Sequence, residues 1–283
     1  MIIDQPAPVR DALFAAGIRA ERRLGQHFLF DLNICRKIAR LAGPLNGKLV
    51  IEVGPGPGGL TRALLEAGAS VIAVERDERF APILTELAAG AAGRLTVVYG
   101  DALRIDERTL AEPSHAGARI VANLPFNVGT ALLLKWLTGP FRPEAMTLMF
   151  QKEVAARIVA PPGGAEYGRL SVIAQALCHA SIQLEVPARA FTPPPKVQSA
   201  VVGFSSRSPR LEDSLIDALK EVTRAAFGQR RKMLRSALRP VGGQALCATA
   251  GIDPDARAQT VTVRGYLDLA RAWLELGPTP PPR

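Results

Sequence analysis

Apolar residues in the first 205 positions fall in short runs separated by stretches of helical period. The runs predict seven strands, at 48–53, 70–75, 95–99, 119–123, 146–151, 181–186 and 199–205. Helical patterns separate the first six, among them 60–67, 79–89, 130–137 and 170–179. Such alternation implies an α/β fold with a mostly parallel sheet. Only a proline-rich loop joins the sixth and seventh runs, too short for a crossover helix, so the last strand is expected to enter antiparallel. After position 205 the pattern turns helical, at 211–227, 230–238 and 266–276. The polar stretch 205–209 then marks a boundary between a large α/β domain over 1–205 and a small C-terminal helical domain over 206–283, with 278–283 expected to be disordered.

The residues able to carry chemistry collect where the predicted strands end. The first strand runs into Glu52-Val53-Gly54-Pro55-Gly56-Pro57-Gly58-Gly59. Glycines there let the backbone approach a ligand closely, and the helix that follows presents free N–H groups. Glu75 ends the second strand, where an acid can accept both hydroxyls of a ribose, and Asp101 follows the third, where an acid can accept from an adenine amine. Gly54, Gly56 and Gly59 also satisfy the dinucleotide fingerprint, which keeps a nicotinamide or flavin enzyme open. The fourth strand ends in Asn123-Leu124-Pro125-Phe126, an amide, a turn-forming proline and a flat aromatic. An amine conjugated to a purine is a weak nucleophile because its lone pair is delocalised into the ring. Hydrogen bonds accepted by the Asn123 side-chain oxygen and the Leu124 carbonyl favour a pyramidal nitrogen, and Phe126 can hold the ring by stacking. Four such strand ends in order place these groups along the carboxyl edge of one sheet, where open α/β sheets bind ligands.

Together these residues resemble the rRNA adenine N6,N6-dimethyltransferase family. The similarity starts at Leu24-Gly25-Gln26-His27-Phe28-Leu29 and passes through the glycine loop, Glu75, Asp101 and Asn123 to Phe126. It returns at Phe191-Thr192-Pro193-Pro194-Pro195-Lys196-Val197-Gln198-Ser199-Ala200-Val201-Val202 and ends at Phe227-Gly228-Gln229-Arg230-Arg231-Lys232-Met233-Leu234. Two positions depart: the family usually has Tyr where Phe126 stands, and frequently Asn where His27 stands. The resemblance implies a Rossmann-like class I S-adenosylmethionine-dependent methyltransferase with a seven-stranded sheet. It implies S-adenosyl-L-methionine as cofactor and two methylations on each of two adjacent adenines near the 3′ end of 16S rRNA, in small-subunit biogenesis. By the same resemblance Gly54 lines the methionine and ribose region, Glu75 takes the ribose hydroxyls and Asp101 the adenine amine. His27 and Leu29 close the pocket from the amino-terminal segment, and Asn123 bridges the cofactor side and the substrate amine. Phe191, held by the stiff Pro193-Pro194-Pro195 run, is expected to form a second wall against the base opposite Phe126. Base–aromatic stacking is worth roughly 1–3 kcal/mol per base, which offsets much of the few kcal/mol needed to unstack a loop adenine.

Composition agrees with a polyanionic partner. The chain of 283 residues has room for a large core and a small one, and its net charge of +9 gives a pI near 10.0. Six basic residues and no acid fall in 224–239, so Arg230, Arg231, Lys232 and Arg235 are the candidate RNA contacts. Cys35, Cys178 and Cys247 lie far apart and read as reduced thiols, and the three histidines show no metal-ligand spacing. Asp4, Arg10 and Asp11 interrupt any apolar run at the amino terminus, and no 18-residue apolar stretch occurs elsewhere. The expected protein is a cytoplasmic monomer whose partner is 16S rRNA in the small subunit or its precursor, with no metal and no membrane. A large-subunit rRNA adenine N6-methyltransferase shares the core chemistry. A ribosome-assembly factor with incidental catalysis also remains, whereas a nicotinamide enzyme leaves the Asn-Leu-Pro-Phe run and Phe191 without a role.

Overall fold

The computed structural model describes residues 9–21, 24–110, 117–229 and 231–277. Its strands are β1 (Phe28–Leu29), β2 (Leu49–Val53), β3 (Ser70–Glu75), β4 (Leu95–Tyr99), β5 (Arg119–Asn123), β6 (Ala145–Gln151), β7 (Cys178–Val186), β8 (Phe191–Thr192) and β9 (Ser199–Ser206). Between and after them run α1 (Val9–Ala15), α2 (Leu32–Leu41), α3 (Gly59–Glu66), α4 (Ala81–Gly90), α5 (Gly129–Thr138), α6 (Lys152–Val159) and α7 (Arg169–Leu177), then α8 (Asp213–Gly228), α9 (Leu234–Ala237), α10 (Gly243–Thr249) and α11 (Val263–Leu276). Seven strands form one sheet in the order β4-β3-β2-β5-β6-β9-β7, while β1 and β8 pair separately and antiparallel. The contacts β4/β3, β3/β2, β2/β5 and β5/β6 are parallel. Strand β9 lies between β6 and β7 and runs antiparallel to β6; the loop that leads into it from β7 holds no crossover helix for a parallel return.

Burial explains the strand pattern. All five residues of β2 are buried, because a central parallel strand is covered on both faces. Val50 shares a core with Cys35, Ile38 and Ala39 of α2 and with Ala63, Leu64 and Leu65 of α3. The Asp31 carboxylate caps α2 by accepting from the Asn33 and Ile34 amides. The three cysteines are buried and not bonded to one another. Burial pushes the Cys35 thiol up to about 12 and Cys178 up to about 11, which removes both as nucleophiles.

Two expectations change. The chain divides into two compact units, Met1–Ala155 with Ser181–Ser205, and Ala156–Ala180 with Ser206–Arg283. The single cut expected at 205/206 therefore misses that residues 156–180 belong with the helical part. Tyr167, Val172 and Ala176 are the reason: they share an apolar core with Leu219, Val222, Tyr266 and Leu269. In that unit the Tyr167 hydroxyl donates to the Val261 carbonyl at 3.0 Å and the Tyr266 hydroxyl to the Ala258 carbonyl at 2.7 Å. The second correction concerns the helix expected at 230–238, where among the described residues only Leu234–Ala237 is α-helical. Met233 is extended and bridges Arg257, and the Leu234 and Arg235 amides donate to the Ala256 and Pro254 carbonyls instead of to a preceding turn. Arg230 and the expected tail at 278–283 lie outside the described residues.

Candidate active site

The strand order reverses between β2 and β5, the topological switch point at which open α/β sheets carry their ligand crevice. A cavity of about 110 Å³ lies there, and the four strand ends open into it through Gly54, Glu75, Asp101 and Asn123. His27, Leu29, Leu124, Pro125 and Phe126 line it as well, so nine of the expected residues meet in one place.

On one side the geometry suits a polar, nucleoside-like ligand. Glu75 is almost fully buried, yet its Oε1 accepts from the Arg76 and Asp77 amides, each at 2.8 Å, and its Oε2 from the Gly56 amide at 2.9 Å. Burial raises its pKa, and these three backbone donors pull it back. Gly54 has φ of 72° and a Cβ on it would lie 3.3 Å from Pro125 Cδ, so the turn needs glycine both for its backbone and for its contact with the Asn-Leu-Pro-Phe loop. Gly59 has another function: a Cβ there would lie 2.7 Å from the Leu29 carbonyl oxygen, so this glycine seats the amino-terminal segment. Asp101 Oδ1 accepts from the Leu103 amide at 3.0 Å, and its side chain stays partly open to the cleft.

On the other side Asn123 Nδ2 donates to the His27 carbonyl at 3.3 Å. That contact assigns the amide orientation, with the nitrogen as donor and Oδ1 as the acceptor end of the side chain. The Phe126 ring lies 5.1 Å from the His27 ring, tilted by 31°. His27 is itself anchored, its Nδ1 donating to the Pro193 carbonyl at 2.7 Å. The proline loop thus reaches the site through a backbone carbonyl. Phe191 does not: it is 2 % exposed, pairs with Leu29 across β1 and β8, and packs among Leu29, Val186 and Val201. The expected second stacking wall is corrected to a core residue, because the strand pairing turns its ring into the apolar cluster.

No sequence signal marks the residues that hold the amino-terminal segment in place. Gln26 Nε2 donates to Asp77 Oδ2 at 2.8 Å, Arg79 pairs with both Asp77 and Glu21, and the hydrogen bonds from Arg79 lower the pKa of Asp77. Gln26 lies within the stretch Leu24 to Leu29, but nothing local marks its partner. In the helical unit Arg231 and Lys232 are exposed on the turn before α9, and Arg235 forms an ion pair with Asp255. No group of three or more His, Cys, Asp or Glu among the described residues could hold a metal ion, and no described helix is long and apolar enough to cross a membrane.

The sheet order, the antiparallel β9 and the strand-end acid and amide define a class I methyltransferase. The fold is similar to that of a dimethyladenosine transferase from Plasmodium falciparum, with a TM-score of 0.71 and 24% identity over 86% of this chain and 96% of that one. It is also similar to the 23S rRNA methyltransferase ErmE, with a TM-score of 0.65 and 27% identity over 87% of this chain and 98% of that one. The chain belongs to the ribosomal RNA adenine dimethylase family, which it matches over residues 17–274. It is 60% identical to the ribosomal RNA small subunit methyltransferase A of Phenylobacterium zucineum, over 97% of this chain and 95% of that protein. The protein of the same name from Caulobacter vibrioides is also 60% identical, over 90% of this chain and 98% of its own length.

Proposed function

We propose that the chain dimethylates the N6 amines of two adjacent adenines near the 3′ end of 16S rRNA, as a cytoplasmic monomer acting on the small subunit or its precursor, with S-adenosyl-L-methionine as methyl donor. The observation that carries this reading is the Asn123 amide, held through its nitrogen by the His27 carbonyl, in the lining of a cavity shared with Phe126, Glu75 and Asp101. The donor set fits a nucleoside sulfonium: a buried carboxylate with one acceptor position left, a second acid one strand further on, and a glycine turn with no room for a side chain. When bound, the cofactor supplies an electrophilic methyl group on a positively charged sulfur. Glu75 then orients the ribose, Asp101 the adenine amine, and His27 and Leu29 cover the pocket.

Asn123 Oδ1 and the Leu124 carbonyl accept the two N6 protons and draw the amine lone pair out of conjugation, while Phe126 holds the ring face. Positive charge would grow on N6 as the methyl–sulfur bond gave way to the carbon–nitrogen bond, so the two acceptors would bind the transition state more strongly than the ground state, and the surplus N6 proton would then pass to solvent. Dimethylation requires that a singly methylated amine re-enter with one proton still bonded. Arg231 and Lys232 are the proposed phosphate contacts of the helical unit. Methyl transfer from labelled S-adenosylmethionine to under-methylated small subunits, followed by mapping of the modified bases, tests the assignment. Label at paired adenines near the 3′ end of 16S rRNA is expected; label confined to large-subunit RNA would overturn it.

A further inference from the structure

Lys135 projects from α5 onto the loop that follows β4. Its Nζ donates to the Ala102 carbonyl at 2.7 Å, to the Ile105 carbonyl, and to Glu107 Oε1 at 2.8 Å. All three ammonium protons are thereby engaged. Glu107 is 3 % exposed, and the same oxygen accepts from Trp136 Nε1 at 2.6 Å, the indole being fully buried. A buried carboxylate with two donors and a lysine with three acceptors make a closed polar network, which fixes geometry because every alternative leaves a buried group unpaired.

The position of this network gives it a function beyond stability. Ala102 and Leu103 directly follow Asp101 and line the cavity with it, and the Asp101 carbonyl accepts the Arg104 and Ile105 amides at 2.8 and 3.2 Å, closing the turn that Lys135 grips. At the other end α5 starts at Gly129, whose amide donates to the Pro125 carbonyl at 3.1 Å, so the helix continues directly from the Asn-Leu-Pro-Phe loop. Leu132 of the same helix also lines the cavity. We propose that Lys135, Glu107 and Trp136 are positioning residues that set the Asp101 loop against the helix carrying the Asn123 loop, so that the adenine end of the cofactor is held at a defined distance from the amine acceptor. The proposal rests on the reading of Asp101 as the adenine contact. None of the three touches substrate or cofactor; each acts through the backbone at 101–105.

The test uses the full chain with Lys135→Met and Glu107→Gln combined, so that neither charge is left buried alone, and with Asp101→Ala alone and added to that pair. Affinity is read by calorimetric titration with S-adenosylhomocysteine, and initial rates are measured on under-methylated small subunits. The paired variant is expected to raise Kd about tenfold and to raise KM for S-adenosylmethionine more than it lowers kcat, since a misplaced binding loop is corrected at saturation. In the Asp101→Ala background the same pair is expected to change Kd by less than about twofold, because residues acting through one contact are not additive. Trp136→Phe, which removes the indole donor together with part of the ring volume, is the milder check and is expected to shift Kd about threefold in the same direction. Unchanged affinity with a lowered melting temperature would make the network purely structural and overturn the proposal. A full effect persisting without Asp101 would overturn the route through that residue. Parent-like affinity in Asp101→Ala alone would instead refute the adenine assignment, a failure separable from that of the network.

Discussion

Glu75→Ala probes the proposed cofactor pocket and the loop around it at once, because the carboxylate holds the loop and is the proposed ribose acceptor. Three of its roughly four acceptor positions are taken by the amides of Gly56, Arg76 and Asp77. One position on Oε2 is left for a ribose hydroxyl, and a second hydroxyl must displace the Gly56 amide. Loss of one charge-assisted bond costs about 1.5–3 kcal/mol, which corresponds to an increase in Kd of about 10- to 150-fold. The same substitution strips three backbone donors of their acceptor. Water in the cleft replaces part of this, so the unliganded chain should lose on the order of 1–3 kcal/mol and melt a few degrees lower. Glu75→Gln keeps the volume and one oxygen but turns an N–H toward the loop donors, and it should fall between parent and alanine in both measurements. Calorimetric titration with S-adenosylhomocysteine and thermal melting without ligand separate the two effects. A folded Glu75→Ala protein binding within twofold of the parent would remove Glu75 from the ribose site, and an unaltered melt would refute the tether to the glycine loop.

Asn123→Ala should lower single-turnover rates by about 10²-fold or more at saturating RNA with little change in RNA affinity; equal rates would end its assigned role. Phe191→Ala should cost about 3–5 kcal/mol of stability in urea denaturation, and a stable variant defective only in methylation would restore the stacking reading. Burial, aided by the nearby Glu75 carboxylate, pushes Glu52 up to about 8 from an ordinary 4.5. Between those values the folded chain keeps a proton that the unfolded chain releases, so the contribution to stability is full below 4.5 and is lost as pH rises through about 8. Glu52→Gln should therefore flatten the decline in melting temperature from about pH 5 to 8, and an identical slope would contradict the buried neutral acid. Charge reversal at Arg231 and Lys232 should reduce the log–log salt slope of RNA binding by roughly 0.7 per lost single-strand phosphate contact. A slope equal to the parent's would show that both are solvent-facing charges without an RNA partner.

Local signals were enough for the frame of this protein. The β-branched and aliphatic runs, the helical periods between them and the length of the proline loop specified seven strands and an antiparallel last one, since each depends on neighbours along the chain. The groups at the strand ends were legible for the same reason: once the strands are placed, Gly54, Glu75, Asp101 and Asn123 must emerge along one edge. What the sequence left open depended on partners distant in the chain. The two-residue strands β1 and β8 carry no period of their own, and only their pairing shows that Phe191 is packed inward while Pro193 holds His27, 166 positions away. The run of basic residues at 230–235 looked like one helical face, but among the described residues Arg231 and Lys232 form a turn, backbone pairing with 254–257 follows it, and Arg235 has an acidic partner. Likewise the orientation of the Asn123 amide comes from one hydrogen bond to a backbone carbonyl, and the grip of Lys135 on the Asp101 loop from two, for which any residue could supply the acceptor. Hydrophobic periodicity records which face of an element is buried; it holds no record of which distant group that face meets, and at this site those meetings set the chemistry.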